Sequence, residues 1–548
     1  MVEGTQAEQR RTGTKLFKTE DYWAIWLGLG IILLSMVFFW QGSTLKPWAV
    51  SPGDWSGGRD LAEDLAKHGF GYLSVFVGFG AVFAISVKVM GHSAGDFLKG
   101  YTLLFVGALA TFYLAKWSWL DKALRLDAPL LALVLGLVIG NIKPMPAWFR
   151  TSLRTEYYIK TGIVLLGATL PLTLIAEAGP VAFLQATIVS VATWMTIYLA
   201  ATRLFKLDPR FGAVLGTGGA VCGVSGAIAV GGAVKAHKDH IAIAIAVVSI
   251  WAIVMIFSLV FLTRVMIVPH GVVPGAWYQV TPGQAGAWVG TSEFADAAGF
   301  AVVAELAVEH GDGPIQAFTL MKVIGRDIWI GIWAFVLSIV SVVSWEKSSA
   351  AAEGPQGRVG ISIVWERFPK FVLGFLAASA LMSLFAASAP ADHVGVVGQQ
   401  GTLTSKAGNR EYHADFSAYR VPGELKDQFS YDPSSQKLSF RGKMSAEQFE
   451  QLSAGADAQQ RLALSHLRYS SDWFESELQA KAIGPIKKLR SWAFVLCFLS
   501  IGLSTRFKDL ATFGLKPFWA FTLGVLVNVP LGFLLTTKIF SRFWQAIS

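Results

Sequence analysis

The stretch that decides the fold is Gly216-Thr217-Gly218-Gly219-Ala220-Val221-Cys222-Gly223-Val224-Ser225-Gly226, inside an apolar run from Phe211 to Ala233. It places five glycines in eleven residues. Glycine weakens a helix, and an unpaired backbone group at membrane depth is costly. An interrupted helix is tolerated there only where it lines a cavity or a binding site. The stretch therefore predicts a discontinuous helix; the alternative is close packing of helices through small residues.

The composition is that of a membrane protein. Of 548 residues, 53% are hydrophobic and 15% are charged, and the mean hydropathy is +0.50. Apolar stretches able to cross about 30 Å of hydrocarbon recur along the chain. The net charge of +9 comes largely from short loops between these stretches, which indicates membrane topology rather than nucleic-acid binding. We predict an all-α polytopic protein whose surroundings are the lipid bilayer, with no nucleic-acid partner.

Hydropathy predicts about thirteen transmembrane segments. They lie near residues 22–40, 71–90, 100–117, 127–142, 156–175, 180–203, 210–234, 239–264, 283–309, 314–344, 365–387, 487–506 and 513–537. Basic residues concentrate in alternate loops, for example at Lys143, Arg150, Arg203, Arg358 and Lys508. The positive-inside rule then places the N-terminus in the cytoplasm. The first segment is predicted to be an uncleaved signal anchor.

Residues 390–485 interrupt this pattern with a polar, charge-rich stretch that we predict to be a small α+β soluble insert on the periplasmic or extracellular side. Phe429–Tyr431 and Leu438–Phe440 form a predicted hairpin. Ser445 with Gln448 is typical of a capping box, and a second helix is predicted from Ala458 to Lys481. The insert is either a lid or dimerisation element, or a sensor that docks a partner. The predicted domains are 1–120 (added N-terminal helices), 121–389 (a transporter core with two glycine-rich segments), 390–485 (the insert) and 486–548 (C-terminal helices of the transporter).

A second predicted interruption spans Gly290 to Gly299. Glu293 and Asp296 are three residues apart and would share a helix face. Two carboxylates at membrane depth are expensive unless they hold a cation, a proton or a basic partner. Alternatively, the segment is interfacial and its acids face water. The flanking glycine and hydroxyl residues favour the interruption.

Lys322, Arg326 and Asp327 lie early in the apolar segment after Gly313–Pro314. One of the two cations is predicted to pair with Glu293 or Asp296, leaving the other for an anion. Snorkelling of both cations to the interface is the alternative. Just after the first glycine-rich segment, Lys235, His237, Lys238 and His240 form either a solvated loop or a funnel that attracts anions.

These patterns define the candidate site residues. Substrate binding is assigned to Thr217, Gly218, Gly219, Cys222, Gly223, Ser225, Thr291, Ser292, Lys322 and Arg326, and ion coupling to Glu293 and Asp296. The sequence shows neither a nucleotide-binding lysine loop nor a set of catalytic residues, so we expect neither an ATP-driven pump nor an enzyme. No cofactor and no structural metal are expected, apart from Na⁺ or H⁺ as a coupling ion.

From about Ala128 to the C-terminus, the chain resembles the bacterial family of YeiH-type membrane proteins, named for sulfate export. Its landmarks occur in the family's order: Thr161–Gly167, Gly216–Gly226, Val234–Ala236, Ile241–Ala246, Gly290–Gly299, Phe368–Phe375, Ser500–Thr505 and Gly514–Pro517. The resemblance implies an inverted-repeat fold like that of cation antiporters and bile-acid symporters, with a core, a scaffold and a homodimer. Such proteins are multi-pass in the bacterial inner membrane.

The chain departs from the family pattern in ways that make the site more acidic. Ser292–Glu293 replaces His-Glu, Asp296 replaces an amide, and the spacing is Lys322-x-x-x-Arg326 instead of Lys-x-x-Arg. The leading functional prediction is a secondary transporter of a small anion (sulfate, an organic sulfonate or a carboxylate), working as a proton- or sodium-coupled symporter or antiporter. One alternative is a sodium/proton antiporter. The other is a sensor or assembly protein that acts through the soluble insert.

Overall fold

The computed structural model describes residues 17–120, 128–143, 145–170, 172–269, 274–341, 345, 369–388, 390, 392–405, 408–417, 419–505 and 514–547. The described residues are 74% helical and include small sheets. The predicted basic loop residues Arg358 and Lys508, and Phe368 of the sixth sequence landmark, lie outside the described residues.

Within these ranges, the helices have the following bounds: α1 Glu20–Trp40, α2 Gly58–Val89, α3 Ala94–Ala115, α4 Ala128–Ile142, α5 Ala147–Arg150, α6 Thr155–Gly167, α7 Leu172–Leu199, α8 Pro209–Ala220, α9 Gly223–Ala233, α10 Lys238–Met266, α11 Pro282–Ser292, α12 Asp296–His310, α13 Gly313–Thr319, α14 Trp329–Val340, α15 Phe371–Ala387, α16 Ala446–Ser453, α17 Ala458–Ser471, α18 Gly484–Ser504, α19 Leu515–Leu534 and α20 Ser541–Gln545. Wider π-helical turns cover Ala200–Leu204, Leu320–Arg326, Phe474–Ile483 and Leu535–Ile539, and a 3₁₀ turn covers Gly423–Leu425. The strands are β1 Val394–Gly398, β2 Gln400–Ser405, β3 Gly408–His413, β4 Phe429–Asp432 and β5 Lys437–Arg441.

Among the described residues, seven helices are long and apolar enough to span a membrane. They are Glu20–Trp40, Gly58–Val89, Ala94–Ala115, Leu172–Leu204, Asp239–Met266, Gly313–Val340 and Leu515–Ile539. The apolar helices Ala128–Ile142, Gly223–Ala233 and Phe371–Ala387 are shorter. The prediction of a polytopic, mainly helical membrane protein is therefore confirmed, while the count of thirteen spans stays a prediction. The predicted segments 210–234 and 283–309 each consist of two helices, as the predicted interruptions require.

Small residues let α4 and α18 pack with their backbones close together. A Cβ added at Gly136 would lie 2.7 Å from the Leu499 carbonyl oxygen, and one at Gly502 would lie 2.6 Å from that of Leu133. Membrane helices associate closely where small residues face each other. This close packing holds α18, in the C-terminal part of the chain, against α4.

Two ion pairs join the first helix, α1, to the start of α6. Arg154 lies 3.3 Å from Glu20, and Lys160 lies 2.9 Å from Asp21. The two acids occupy the first turn of α1, where negative charge also complements the helix dipole. The N-terminal helix α1 therefore packs against α6.

The described residues of the insert form two antiparallel sheets, with strand orders β1-β5-β4 and β2-β3. The predicted hairpin is confirmed, since β4 pairs with β5 and Phe429 lies opposite Phe440. The capping box of Ser445 and Gln448 opens α16 as predicted. The helix predicted from Ala458 to Lys481 is wrong in its second half. It ends at Ser471 because Asp472 adopts an extended backbone, and a π-helical segment then follows.

Candidate functional site

The first glycine-rich stretch is interrupted at Val221 and Cys222. The helix α8 ends at Ala220, and the next two residues have φ/ψ of −127/−95° and −130/50°. Gly223 opens α9 with φ +46°, a backbone region that favours glycine. The discontinuous helix predicted from the sequence is therefore present in the structure.

The second interruption covers Glu293 to Ala295. The helix α11 ends at Ser292, both Glu293 and Ala295 have extended backbones, and α12 begins at Asp296. The predicted segment Gly290–Gly299 thus contains a break, in which Glu293 is the first residue and after which Asp296 opens the next helix.

The half-helices that lead into the two breaks begin in the same way. Asp208 caps α8 by accepting from the amide nitrogens of Arg210 and Phe211, and Thr281 caps α11 through a capping box with Gln284. A proline, Pro209 or Pro282, is the first residue of each helix. Proline is favoured there because its missing N–H would have no intrahelical partner.

The two interruptions touch each other. The Cys222 thiol lies 3.3 Å from Oδ2 of Asp296. A Cβ added at Gly223 would lie 3.2 Å from the carbonyl oxygen of Phe294. The breaks therefore cross at one point inside the protein, which we call the crossing (residues 219–223 and 290–296).

Arg326 is completely buried and binds the carbonyl ends of both incoming half-helices. Its Nε donates to the Ala220 oxygen at 2.9 Å and its Nη2 to the Gly219 oxygen at 2.7 Å. Its Nη1 lies 2.7 Å from the Thr291 oxygen and 3.0 Å from the Glu293 oxygen. A cation at helix C-termini satisfies carbonyls that have no intrahelical donor and complements the helix dipoles. Arg326 thus clamps α8 to α11, and its donors are engaged by backbone oxygens.

Lys322 is also completely buried and lies between the breaks and two carboxylates. Its Nζ donates to the carbonyl oxygen of Val221 and lies 3.3 Å from that of Phe294. The same nitrogen lies 3.2 Å from Asp296 Oδ1 and 3.5 Å from Asp327 Oδ1. The predicted pairing of one cation with Asp296 is therefore present, and the cation is Lys322.

Carboxylates outnumber cations around the crossing. Glu293 Oε1 accepts from the amide nitrogens of Phe294 and Ala295 at 2.9 and 3.2 Å. Its Oε2 and both side-chain oxygens of Asp327 are buried and form no hydrogen bond among the described residues, although Lys322 Nζ lies 3.5 Å from Asp327 Oδ1. The sulfur of Cys222 and one carboxylate oxygen each of Asp296 and Asp327 lie within 4.8 Å of one another, which is close enough for the three atoms to coordinate a cation. Buried oxygens without donors are suited to a proton or a metal cation.

The remaining predicted residues divide between helix packing and the crossing. Thr217 donates to the Ala213 oxygen and accepts from Trp194 Nε1 at 3.2 Å, and Thr291 donates to the Trp288 oxygen. Both hydroxyls are therefore satisfied within the helical framework. Gly218 faces Val248, since an added Cβ would lie 2.8 Å from that side chain. Ser225 is half-buried in the first turn of α9.

Ser292 is bound through its backbone by Asn528, a residue that no sequence pattern indicates. Its carbonyl oxygen accepts from Nδ2 of Asn528 at 3.0 Å, and Oδ1 of that amide accepts from Thr193 at 3.1 Å. The sequence places Asp327 next to Arg326 but does not by itself indicate a role for it. Its position beside two cations in an apolar segment was the available signal. The predicted funnel residue His237 is mainly exposed and caps α10.

The architecture and the crossing define the chain as a polytopic membrane protein with two contacting discontinuous helices. Residues 99–400 match the family model described as "Conserved hypothetical protein 698". The chain belongs to this family, which is the YeiH-type family indicated by its sequence landmarks.

Several UPF0324 membrane proteins are similar to the chain. That of Rhodopirellula baltica is 34% identical over 343 residues, covering 62% of this chain and 59% of the relative. That of Nitrosomonas europaea is 31% identical over 405 residues, covering 66% and 79%. One from Bacillus cereus is 28% identical over 304 residues, covering 54% and 77%. The chain thus spans less than two thirds of the Rhodopirellula relative's length. No solved structure matches it significantly.

Proposed function

We propose that the protein is a secondary active transporter of a small anion, coupled to protons or sodium. The observation that carries the proposal is the position of Lys322, whose buried Nζ lies 3.2 Å from Asp296 at the contact between two helix interruptions. Discontinuous helices in transporters form substrate and ion sites of this kind. The substrate class is sulfate, an organic sulfonate or a carboxylate.

The ion pair suggests how ion and anion are coupled. While Asp296 is ionised, it neutralises Lys322. A proton or sodium ion on Asp296 and Asp327 cancels the negative charge, and the lysine then becomes a countercharge for an anion. Arg326 remains on its backbone carbonyls and preserves the shape of the site. We therefore propose that Asp327, together with Glu293 and Asp296, binds the coupling ion.

Alternating access would follow from movement of the part containing the crossing against a scaffold, in a fold of about thirteen spans with inverted repeats. The similar beginnings of α8 and α11, each with a capping residue followed by proline, support an internal repeat. We place the core at 121–389 with the C-terminal helices 486–548, and the added helices at 1–120. A homodimer is part of the proposal.

The proposed orientation has a cytoplasmic N-terminus and a periplasmic insert, 390–485, in the bacterial inner membrane. Two contacts support the relative sidedness. Thr44, in the loop after α1, donates to the carbonyl oxygen of Lys481 at 2.6 Å, which joins that loop to the end of the insert. At the other end of α1, Asp21 pairs with the basic residue Lys160.

A sodium/proton antiporter is the second candidate. It is supported by the cluster of Cys222, Asp296 and Asp327, whose donor atoms lie within 4.8 Å. In that mechanism the carboxylates carry sodium and protons alternately, and Lys322 competes with the cation. No anion would move.

Flux through reconstituted vesicles tests both proposals. Labelled sulfate, an organic sulfonate and a carboxylate are each offered with an imposed pH or sodium gradient. The anion proposal expects gradient-driven anion flux that is lost in Lys322→Gln and Asp296→Asn and retained in the control Lys426→Gln, an exposed residue of the insert. Cation exchange without flux of any anion would replace it by the antiporter. Unchanged anion flux in both site variants would reject the crossing as the transport site.

A further inference from the structure

A basic cavity of about 450 Å³ lies where the first half of α2 meets the end of the insert and the start of α18. None of the residues that line it belongs to the crossing. Its polar lining consists of Lys46, Lys67, His68 and Lys488. None of the three lysines forms an ion pair with any residue that the structure describes. The cavity therefore carries unpaired positive charge.

The histidine in this cavity is held in place by a polar cluster beneath it. His68 Nδ1 lies 2.8 Å from Asp64, whose other oxygen accepts from Tyr72 and Tyr113 at 2.6 and 2.7 Å. The nearby carboxylate is thus occupied by three neighbours. It fixes the imidazole and does not neutralise the lysines by direct contact.

A second cavity of about 570 Å³ lies beside the basic one and is almost wholly apolar. It is a groove between α1 and α2, lined on α1 from Trp23 to Phe38 and on α2 from Ser74 to Val82. At 1.5 Å per residue these spans cover about 22 Å and about 12 Å, comparable with the roughly 15 Å of one hydrocarbon leaflet.

The two cavities meet end to end. Lys488 lines the basic cavity and its chain neighbour Leu489 lines the groove. Trp48 of the groove packs edge-on against Phe70 of the basic cavity, with ring centroids 5.2 Å apart. Aromatic rings at such a boundary suit the level of lipid headgroups. The result is a concave site with a cationic end and an apolar body of about one leaflet in length.

The geometry points to an anionic diacyl phospholipid as the occupant, with its phosphate among Lys46, Lys67 and Lys488 and an acyl chain along the α1–α2 groove. Charge complementarity selects the headgroup, because each basic residue near a membrane surface favours an anionic lipid. The length and apolar lining of the groove select a lipid over a free anion. This site is independent of the proposed transport mechanism.

Native mass spectrometry of the delipidated, full-length protein tests the site with phosphatidylglycerol and phosphatidylcholine of identical acyl chains. We expect preferential binding of phosphatidylglycerol. The triple variant Lys46→Gln, Lys67→Gln, Lys488→Gln should weaken it at least about tenfold and leave phosphatidylcholine unchanged. The control variant Lys88→Gln, Lys99→Gln, Lys426→Gln removes the same charge at exposed positions elsewhere and should bind like the parent protein. Equal phosphatidylglycerol binding by the two triple variants would overturn the assignment.

The groove has its own test, because Gly30 and Gly78 line it and a Cβ at either position meets no atom within 4 Å. Gly30→Leu with Gly78→Leu should fill the groove without disturbing the helices and weaken lipid binding severalfold. Gly95→Leu, equally open but outside the groove, is the matched control. The lipid proposal is wrong if inorganic phosphate displaces the lipid headgroup and the Gly30→Leu, Gly78→Leu variant still binds lipid normally. The cavity is then a site for free anions.

Discussion

The thiol of Cys222 lies 3.3 Å from the carboxylate of Asp296, although 74 residues separate them in the sequence. This contact joins the two helix interruptions and brings a weak donor to Oδ2 of the carboxylate that pairs with Lys322. Because Oδ1 of the same carboxylate faces that lysine, Asp296 is shared between the two discontinuous helices and the cation.

We predict that Cys222→Ser retains anion flux, because a hydroxyl still donates to Asp296. Cys222→Val has a similar volume but no donor, and it should lower the initial rate severalfold. The measurement is flux at matched protein density in vesicles. Cys497→Ala, which alters the other buried cysteine, serves as the control. Equal rates for the serine and valine variants would mean that the thiol contact has no role.

Arg326→Lys should destabilise the protein even though it preserves the charge. An ammonium cannot reach carbonyl oxygens on both α8 and α11, so buried acceptors lose their donors, each at a cost of about 1–3 kcal/mol. We expect the apparent Tm from tryptophan fluorescence to fall by at least about 5 °C. Arg461→Lys, at an exposed ion pair, should change it by no more than about 1 °C. An unchanged Tm for Arg326→Lys would contradict the clamp.

Gly223→Ala should also lower stability. At φ +46° a Cβ costs about 1–2 kcal/mol, and here it would lie 2.9 Å from Val248 and 3.2 Å from the Phe294 oxygen. Gly95→Ala meets no neighbouring atom and should be neutral or slightly stabilising. Thermal unfolding of the two variants in the same detergent distinguishes them. Similar Tm values would show that the crossing relaxes easily.

The insert should lose local stability in mild acid. Burial lowers the pKa of His466, whose Nδ1 lies 2.8 Å from the Tyr412 hydroxyl. Because the folded pKa lies below the unfolded value of about 6.5, the stabilisation is complete above that pH and is lost as the pH falls toward the folded pKa. Hydrogen exchange of α17 in the full-length protein, corrected for intrinsic rates, should therefore lose protection between pH 7.5 and 5.5.

His466→Gln should remove this pH dependence, whereas His413→Gln, at an exposed position on β3, should preserve it. The same loss of protection in both variants would assign the effect to another group.

The sequence predicted the two interruptions well because their causes are local. Glycine density marks the first break, and the acids Glu293 and Asp296 within a small-residue segment mark the second. The role of Arg326 was not predictable in the same way. Its acceptors are backbone oxygens 33 to 107 residues away, and a carbonyl oxygen carries no side-chain signature. The prediction that one cation is left for an anion takes only side-chain partners into account. It does not include the bonds from Arg326 to backbone oxygens.

The insert shows the same division between local and distant causes. The hairpin and the capping box at Ser445 depend on neighbouring residues and were predicted correctly. The end of α17 at Ser471 was missed. Its hydroxyl accepts from the amide nitrogen of Met444, 27 residues earlier, and this tertiary contact is not encoded in helical periodicity.

The bonds from Arg326 to both incoming half-helices have a mechanical consequence. Movement of α8 relative to α11 would pull carbonyl oxygens away from a single planar guanidinium. The helices α8 and α11 are thereby joined at their C-terminal ends into one stiff unit. In a large displacement these two half-helices would therefore move together as one body.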